Sequence, residues 1–278
     1  MTPTWHGEPP PHFTMTPGRI VSALLRIVPL FVLVFGGLII LLTVRLIERL
    51  LFGQARPITP HITVFVCRGA LFLLGLRLSV QGEPLAGQGA FVANHSSWLD
   101  IFVLNAVTRL YFVSKAEVAK WPGIGWLARA TGTVFIDRDR AQAAKQAQVF
   151  RDRLNAGHRL LFFPEGTSSD GTRVLPFKPT LFAAFFDPAL RDRLSVQAVS
   201  VVYHAPRGQD ARFFGWWGDM DFGSHLLKVL AAGQGGRITL IYHPAVALTD
   251  TPDRKALARH CETQVREGFE NARTNRLQ

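Results

Sequence analysis

The stretch Ala90-Phe91-Val92-Ala93-Asn94-His95-Ser96-Ser97-Trp98-Leu99-Asp100 decides the fold. Its first four residues form an apolar run that reads as a buried strand. The run that follows, Ile101-Phe102-Val103-Leu104, reads as the start of a helix. Between them lies a polar turn with a His and, five residues on, an Asp. Such a strand-to-helix turn is where an α/β fold exposes its working groups. A His there can take a proton from a hydroxyl near neutral pH, and a carboxylate can hold its ring. A plainer reading fits the same residues. Ser97 to Asp100 has the form of a capping box, with Ser97 as N-cap and Asp100 accepting first-turn amides, which would make His95 an ordinary loop histidine.

Downstream of this turn, strand and helix patterns alternate. Strands are expected at Leu110–Val113, Thr133–Ile136, Arg159–Phe163, Val196–Tyr203 and Arg237–Tyr242. Helices are expected at Ala116–Ala130 with a break at Pro122-Gly123, then at Ala141–Leu154, Thr180–Phe186 and Phe222–Ala232. A last helix starts at Thr251-Pro252, read as N-cap and N1, and runs to about Arg273. Upstream, Arg77–Gln81 alternates and reads as a strand ended by Gly82. The pattern predicts an α/β fold: a single domain with a mostly parallel sheet flanked by helices.

The N-terminal quarter differs in character. Residues 1–18 hold five prolines and are expected to form a disordered tail. Residues 19–75 read as a membrane-associated helical segment. From Ile27 to Val44, 18 residues pass without a charge, between Arg26 and Arg45. As a helix at about 1.5 Å per residue this run is roughly 27 Å long, close to a hydrocarbon core of about 30 Å. It can span the bilayer or enter one leaflet. Cationic residues at both ends leave its orientation open. Arg45–Phe52 is amphipathic and suits the membrane interface. After a break at Gly53–His61, Ile62–Leu76 reads as a second apolar helix, at the membrane surface or packed on the domain.

Composition agrees with a lipid-facing protein. Of 278 residues 48% are hydrophobic, and the net charge is +11. An anionic partner surface follows. The basic residues are scattered and no nucleic-acid motif is present, so lipid is favoured over nucleic acid. Cys67 and Cys261 are far apart, without metal-ligand spacing and without a disulfide framework.

Three strand ends carry unusual polar residues. The first is His95 to Asp100. The second is Phe135-Ile136-Asp137-Arg138, where the Arg138 fork suits phosphate or carboxylate; an Asp-Arg pair at a solvated helix start is the plainer reading. The third is Phe163-Pro164-Glu165-Gly166-Thr167-Ser168-Ser169-Asp170-Gly171, a carboxylate followed by a turn rich in Gly and hydroxyls. Backbone amides in such a turn can bind oxyanions or hydroxyls, and Asp170-Gly171 is turn chemistry in any case. Each block follows an apolar strand, so the three could converge at the carboxyl end of one sheet.

Across roughly Val80 to Tyr203 the chain resembles the glycerolipid acyltransferase family, whose best-known bacterial member is lysophosphatidic acid acyltransferase. The His-x4-Asp motif matches at His95 and Asp100, and the second and third blocks follow in the family order. The resemblance implies that 76–275 is an acyltransferase domain of a membrane-bound O-acyltransferase in lipid biosynthesis. It implies His95 as general base and Asp100 as the group that orients it. Arg138 and Glu165 would bind the acceptor head group, Gly166 and Thr167 would shape the turn, and Lys115 and Lys178 would be further anion contacts. The acyl donor would be an acyl carrier protein or coenzyme A thioester used as co-substrate, with no cofactor. Membrane lipids and the donor carrier would be the partners. A bacterial inner-membrane location with a cytoplasmic catalytic domain is implied. The acceptor placed first is 1-acyl-sn-glycerol-3-phosphate, giving phosphatidic acid.

Two departures bear on that acceptor. Ser168 stands where the family often has an Arg after Glu-Gly-Thr, and Val199-Ser200-Val201 lacks the usual Pro. Losing the Arg weakens the case for a phosphate monoester. The Thr167–Gly171 variant and Trp216-Trp217-Gly218-Asp219-Met220 resemble a proteobacterial branch that also acylates lyso-ornithine lipid, which makes that lipid the alternative acceptor. Two other classes stay open. One is a thioester hydrolase using Ser96 or Ser97 with His95, although adjacent residues rarely place a serine oxygen on the imidazole, and no Gly-x-Ser-x-Gly elbow is present. The other is a non-catalytic lipid-binding protein, against which the intact His95, Asp100, Arg138 and Glu165 argue. No metal site is expected, because His95 and Asp100 lack clustered His or Cys ligands.

Overall fold

The computed structural model describes residues 4–8, 12–87, 89–136, 143–233 and 235–274, with backbone alone at 143–147 and 189. Its centre is an eight-stranded sheet. The strands are β1 (Leu76–Gln81), β2 (Gly89–Ala93), β3 (Tyr111–Lys115), β4 (Val134–Ile136), β5 (Leu160–Phe162), β6 (Ser195–His204), β7 (Gly236–Tyr242) and β8 (Val246–Ala247). The order is β1-β7-β6-β2-β5-β3-β4, with β8 beside β6. From β6 to β4 the neighbours are parallel. β7 and β8 run antiparallel to β6, and β1 pairs with β7 in parallel, so these three strands run against the other five.

β2 is buried at all five positions because helices cover both faces of the sheet. Continuous apolar strands, rather than alternating ones, are what that layering requires. One face packs Phe91, Ala93, Leu161, Val199 and Val201 against α2 (Thr59–Leu73), α3 (Asp100–Val107) and α7 (Phe222–Ala231). The other packs Ala90, Val92, Leu160, Phe162 and Val196 against α5 (Ala143–Asn155), the Pro179–Phe186 segment and α8 (Arg254–Thr274). Two short helices, α4 (Ile124–Thr131) and α6 (Pro188–Arg191), complete the domain.

The expected elements are present, with local differences. Pro179–Phe186 winds as a 3-10 helix, and Ala116–Lys120 does likewise before the Pro122-Gly123 break. The last helix begins at Arg254, not at Thr251-Pro252. Asp253 Oδ1 accepts the amides of Lys255 and Ala256 at 2.7 and 2.8 Å, so Asp253 is the cap. Its short carboxylate reaches orphan first-turn amides that Thr251 would be too early to meet.

At the N-terminus, Pro17 opens a single 36-residue helix, α1 (Pro17–Phe52), which ends at Gly53 with φ 59°. It is long and apolar enough to cross a membrane. Only Ala23, Leu30, Leu41 and Glu48 are buried along it, a narrow stripe at seven- and eleven-residue spacings. Arg26 Nη1 donates to Leu230 O of α7 at 3.3 Å. At the other end the Glu48 carboxylate accepts the Ile58 and Thr59 amides at 2.6 and 3.1 Å, hooking α1 to α2. The outward sides stay apolar: Leu50 is 87% and Phe72 83% exposed. Before α1, the tail touches the domain. The Trp5 indole lies 6.4 Å from that of Trp217, and Phe13 meets Phe213 edge-on at 5.6 Å.

Candidate active site

β2 is central and parallel to both neighbours, so its carboxyl end opens where Asn94 and His95 follow. Asn94 carries the sheet one residue further with its side chain. Its Nδ2 donates to Val201 O and its Oδ1 accepts Val201 N, both at 2.8 Å, on β6. The turn beyond is therefore anchored before it leaves the sheet.

His95 Nδ1 lies 2.7 Å from Asp100 Oδ2. The same oxygen accepts the amides of Ser96 and Ser97 at 2.9 and 3.1 Å. Oδ1 accepts the Tyr203 hydroxyl at 2.6 Å. The contact to the imidazole and the contacts to the turn amides thus fall on one oxygen. Half of the capping box forms: Asp100 reaches back to the Ser97 amide, whereas Ser97 Oγ meets Leu99 N at 3.4 Å. Asp100 is fully buried and the His95 side chain 22% exposed. The imidazole stacks on Phe163 with centroids 4.1 Å apart at 13°, and Phe163 in turn stacks on Phe112. With Nδ1–H donating to Asp100, Nε2 keeps a lone pair on the opposite edge of the ring. That is the arrangement a general base needs.

The third block is the clamp on this histidine. Glu165 Oε1 accepts the His95 amide at 3.0 Å, and Ser169 N donates to His95 O at 2.9 Å. The loop after β6 adds a third hold, Trp216 N to Ser96 O at 2.8 Å. That loop presses close: a Cβ on Gly215 would sit 2.3 Å from Asp170 O, so only glycine fits there. Asp170 is buried and paired with Arg173 at 3.0 Å.

The expected head-group residues fall in different places. Glu165 is 1% exposed and lies within the domain, bracing the His95 backbone. Burial pushes its pKa well above the ordinary carboxyl value, and the nearby Asp100 charge pushes the same way, against the amides and Arg266. Gly166, at φ 72°, turns the chain, with its amide on Phe163 O. The Thr167 hydroxyl accepts the Trp5 amide at 3.3 Å, so it ties down the N-terminal segment. Lys115 ends β3 in register with Ile136, the last residue of β4. Lys178 opens the 3-10 segment, its amide on Pro164 O. Asp137 and Arg138 lie outside the described residues. Ser96 Oγ is buried without a partner and Ser97 Oγ points to Leu99, so neither serine is seated on the imidazole. Among the described residues no group of three or more His, Cys, Asp or Glu could hold a metal.

Sequence reasoning missed Tyr203 and, although it placed Asn94 in the motif, gave it no role. Tyr203 was readable only as the end of an apolar strand. Its signal is that a phenol on a buried strand must find a partner for its hydroxyl.

The family model described as Acyltransferase matches residues 77–203. The chain is 54% identical over 268 residues to a lyso-ornithine lipid O-acyltransferase of Rhodobacter capsulatus, covering 96% of this chain and 97% of that one. It is 37% identical over 145 residues to a 1-acyl-sn-glycerol-3-phosphate acyltransferase of Neisseria gonorrhoeae, covering 51% and 55%. The crystal structure of the 1-acyl-sn-glycerophosphate acyltransferase of Thermotoga maritima shares the fold. Its TM-score is 0.64 at 21% identity, over 92% of this chain and 96% of that one.

Proposed function

The chain belongs to the acyltransferase family and transfers acyl groups to lysolipids, and from that premise we propose that its acceptor is a lyso-ornithine lipid. Support for this acceptor comes from the 54% identity that runs nearly end to end with a lyso-ornithine lipid enzyme. The likeness to the glycerophosphate enzyme of Neisseria gonorrhoeae covers about half of each chain. Sequence reading placed lysophosphatidic acid first; the relatives favour the lyso-ornithine acceptor that stood second. Ser168 supports the same choice, because ornithine carries a side-chain ammonium and no phosphate monoester for an Arg to grip.

The observation that carries the chemistry is the 2.7 Å contact between His95 Nδ1 and Asp100 Oδ2. His95 Nε2 takes the proton of the acceptor hydroxyl as its oxygen attacks the carbonyl of an acyl thioester. The carbon–sulfur bond breaks, and the imidazolium returns the proton to the leaving thiolate. Asp100 holds the ring and stabilises the imidazolium. The thioester is carried by acyl carrier protein or coenzyme A, and no covalent enzyme intermediate is needed. Arg138, Lys115 and Lys178 remain candidates for contact with the acceptor or donor.

The protein works at a membrane. α1 is tied to the domain at Leu230 and to the start of α2 at Ile58–Thr59, which supports α1 lying along one membrane face with α2. The inner membrane of a bacterium, with the domain cytoplasmic, is the setting where acyl thioesters meet lysolipids.

The test offers the purified protein in vesicles both lysolipids together with an acyl thioester and reads products by mass. Acylated ornithine lipid as the dominant product is expected. Phosphatidic acid as the dominant product would overturn the acceptor assignment, and thioester hydrolysis alone would overturn acyl transfer.

A further inference from the structure

We infer that Tyr203 is a positioning residue for the transfer, acting through Asp100 by anchoring the carboxylate oxygen that His95 does not use. The inference rests on His95 as the base. Tyr203 lies near the end of β6, 103 residues along the chain from Asp100, and its hydroxyl donates to Oδ1 at 2.6 Å. It is 6% exposed, and its ring packs against Phe214 at 5.8 Å. Burial pushes the phenol well above its ordinary pKa, and the Asp100 charge pushes the same way, so it donates rather than ionises.

Asp100 divides its work by oxygen. Three N–H groups meet Oδ2, among them the imidazole, while Tyr203 meets Oδ1. The titratable groups around it are His95 in the turn after β2, Tyr203 on β6 and Glu165 in the turn after β5. His225 on α7, one side chain further off, accepts the Trp98 indole N–H, and burial brings its pKa down to about 3. Among the described residues no Lys or Arg forms an ion pair with Asp100. Tyr203 is thus the side-chain donor that competes with His95 for the charge of this carboxylate. Without it, a buried anionic oxygen turns more of its charge toward the imidazole, favouring the protonated ring. A base that protonates more readily is lost at higher pH.

The experiment compares wild type with Tyr203→Phe, which keeps the ring packing. Expected is a kcat about 10-fold lower or more, the size of effect outer-shell partners have, with KM for the lysolipid unchanged. The acid limb of kcat/KM should move up by about one pH unit, the shift a charge-assisted hydrogen bond commands. Fluorotyrosine at position 203, a stronger donor, should move the same limb down. It keeps the inference testable if the Phe variant fails to fold. An unmoved acid limb in the folded variants, with kcat near wild type, overturns the role of Tyr203. A wild type that makes no acylated lipid overturns the reading of the site instead.

Discussion

Asp100 makes the contacts that both of its readings require. The capping pattern and the catalytic pair both looked plausible from spacing, and the carboxylate meets the imidazole and two turn amides on the same oxygen. Spacing along one stretch made that much legible. It could not show Glu165, which reads as a ligand-facing acid in a polar turn and instead sits under His95, because burial depends on the chain that folds over it. Its raised pKa has a consequence for stability. The folded-state value lies above the unfolded one, so the contribution is full below the ordinary carboxyl value and is lost as pH rises through the folded value. Glu165→Gln keeps an acceptor for the His95 amide and removes the charge. Its melting temperature should fall less steeply above pH about 5 than that of wild type. Parallel pH–stability curves would contradict this placement of the carboxyl.

Elements were legible where apolar runs were bounded by turn residues, as at β2, β6 and β7. What the runs did not show was partnership. β1, next in sequence to β2, pairs with β7 at the far edge, and β7 reverses direction on β6, contacts set by long-range packing. The Asn94 bridge belongs to this scale, since a side chain replaces backbone where β2 leaves β6. Asn94→Ala strands both the N–H and the C=O of buried Val201. At about 1–3 kcal/mol for each buried group left unpaired, the loss should reach about 2–6 kcal/mol. Chemical denaturation measures it. A loss below about 1 kcal/mol would show that the bridge adds nothing to the sheet.

At the scale of the whole molecule, the apolar N-terminus and the His95 turn share one layer. α2 packs in the same core as Trp98 and Phe112, so the exposed apolar helices lie on the same side of the sheet as the turn that carries His95. The apolar run Ile27–Val44 and the amphipathic stretch Arg45–Phe52 belong to one continuous helix, which stops at the expected break at Gly53. Charge alone marks where an apolar run ends, not where a helix does. A spin label at Phe72→Cys should be shielded from aqueous nickel and reached by lipid-soluble oxygen, whereas one at Glu270→Cys should behave oppositely. Equal aqueous access at both would contradict the proposed seating. The central claim is that the His95–Asp100 pair drives acyl transfer to the lysolipid hydroxyl. Its direct test is turnover of lyso-ornithine lipid with an acyl thioester by purified wild type and His95→Ala in the same vesicles, with folding checked by circular dichroism. A fall of about 10²–10⁴-fold with the fold intact is predicted; near-normal turnover by the folded variant would contradict it.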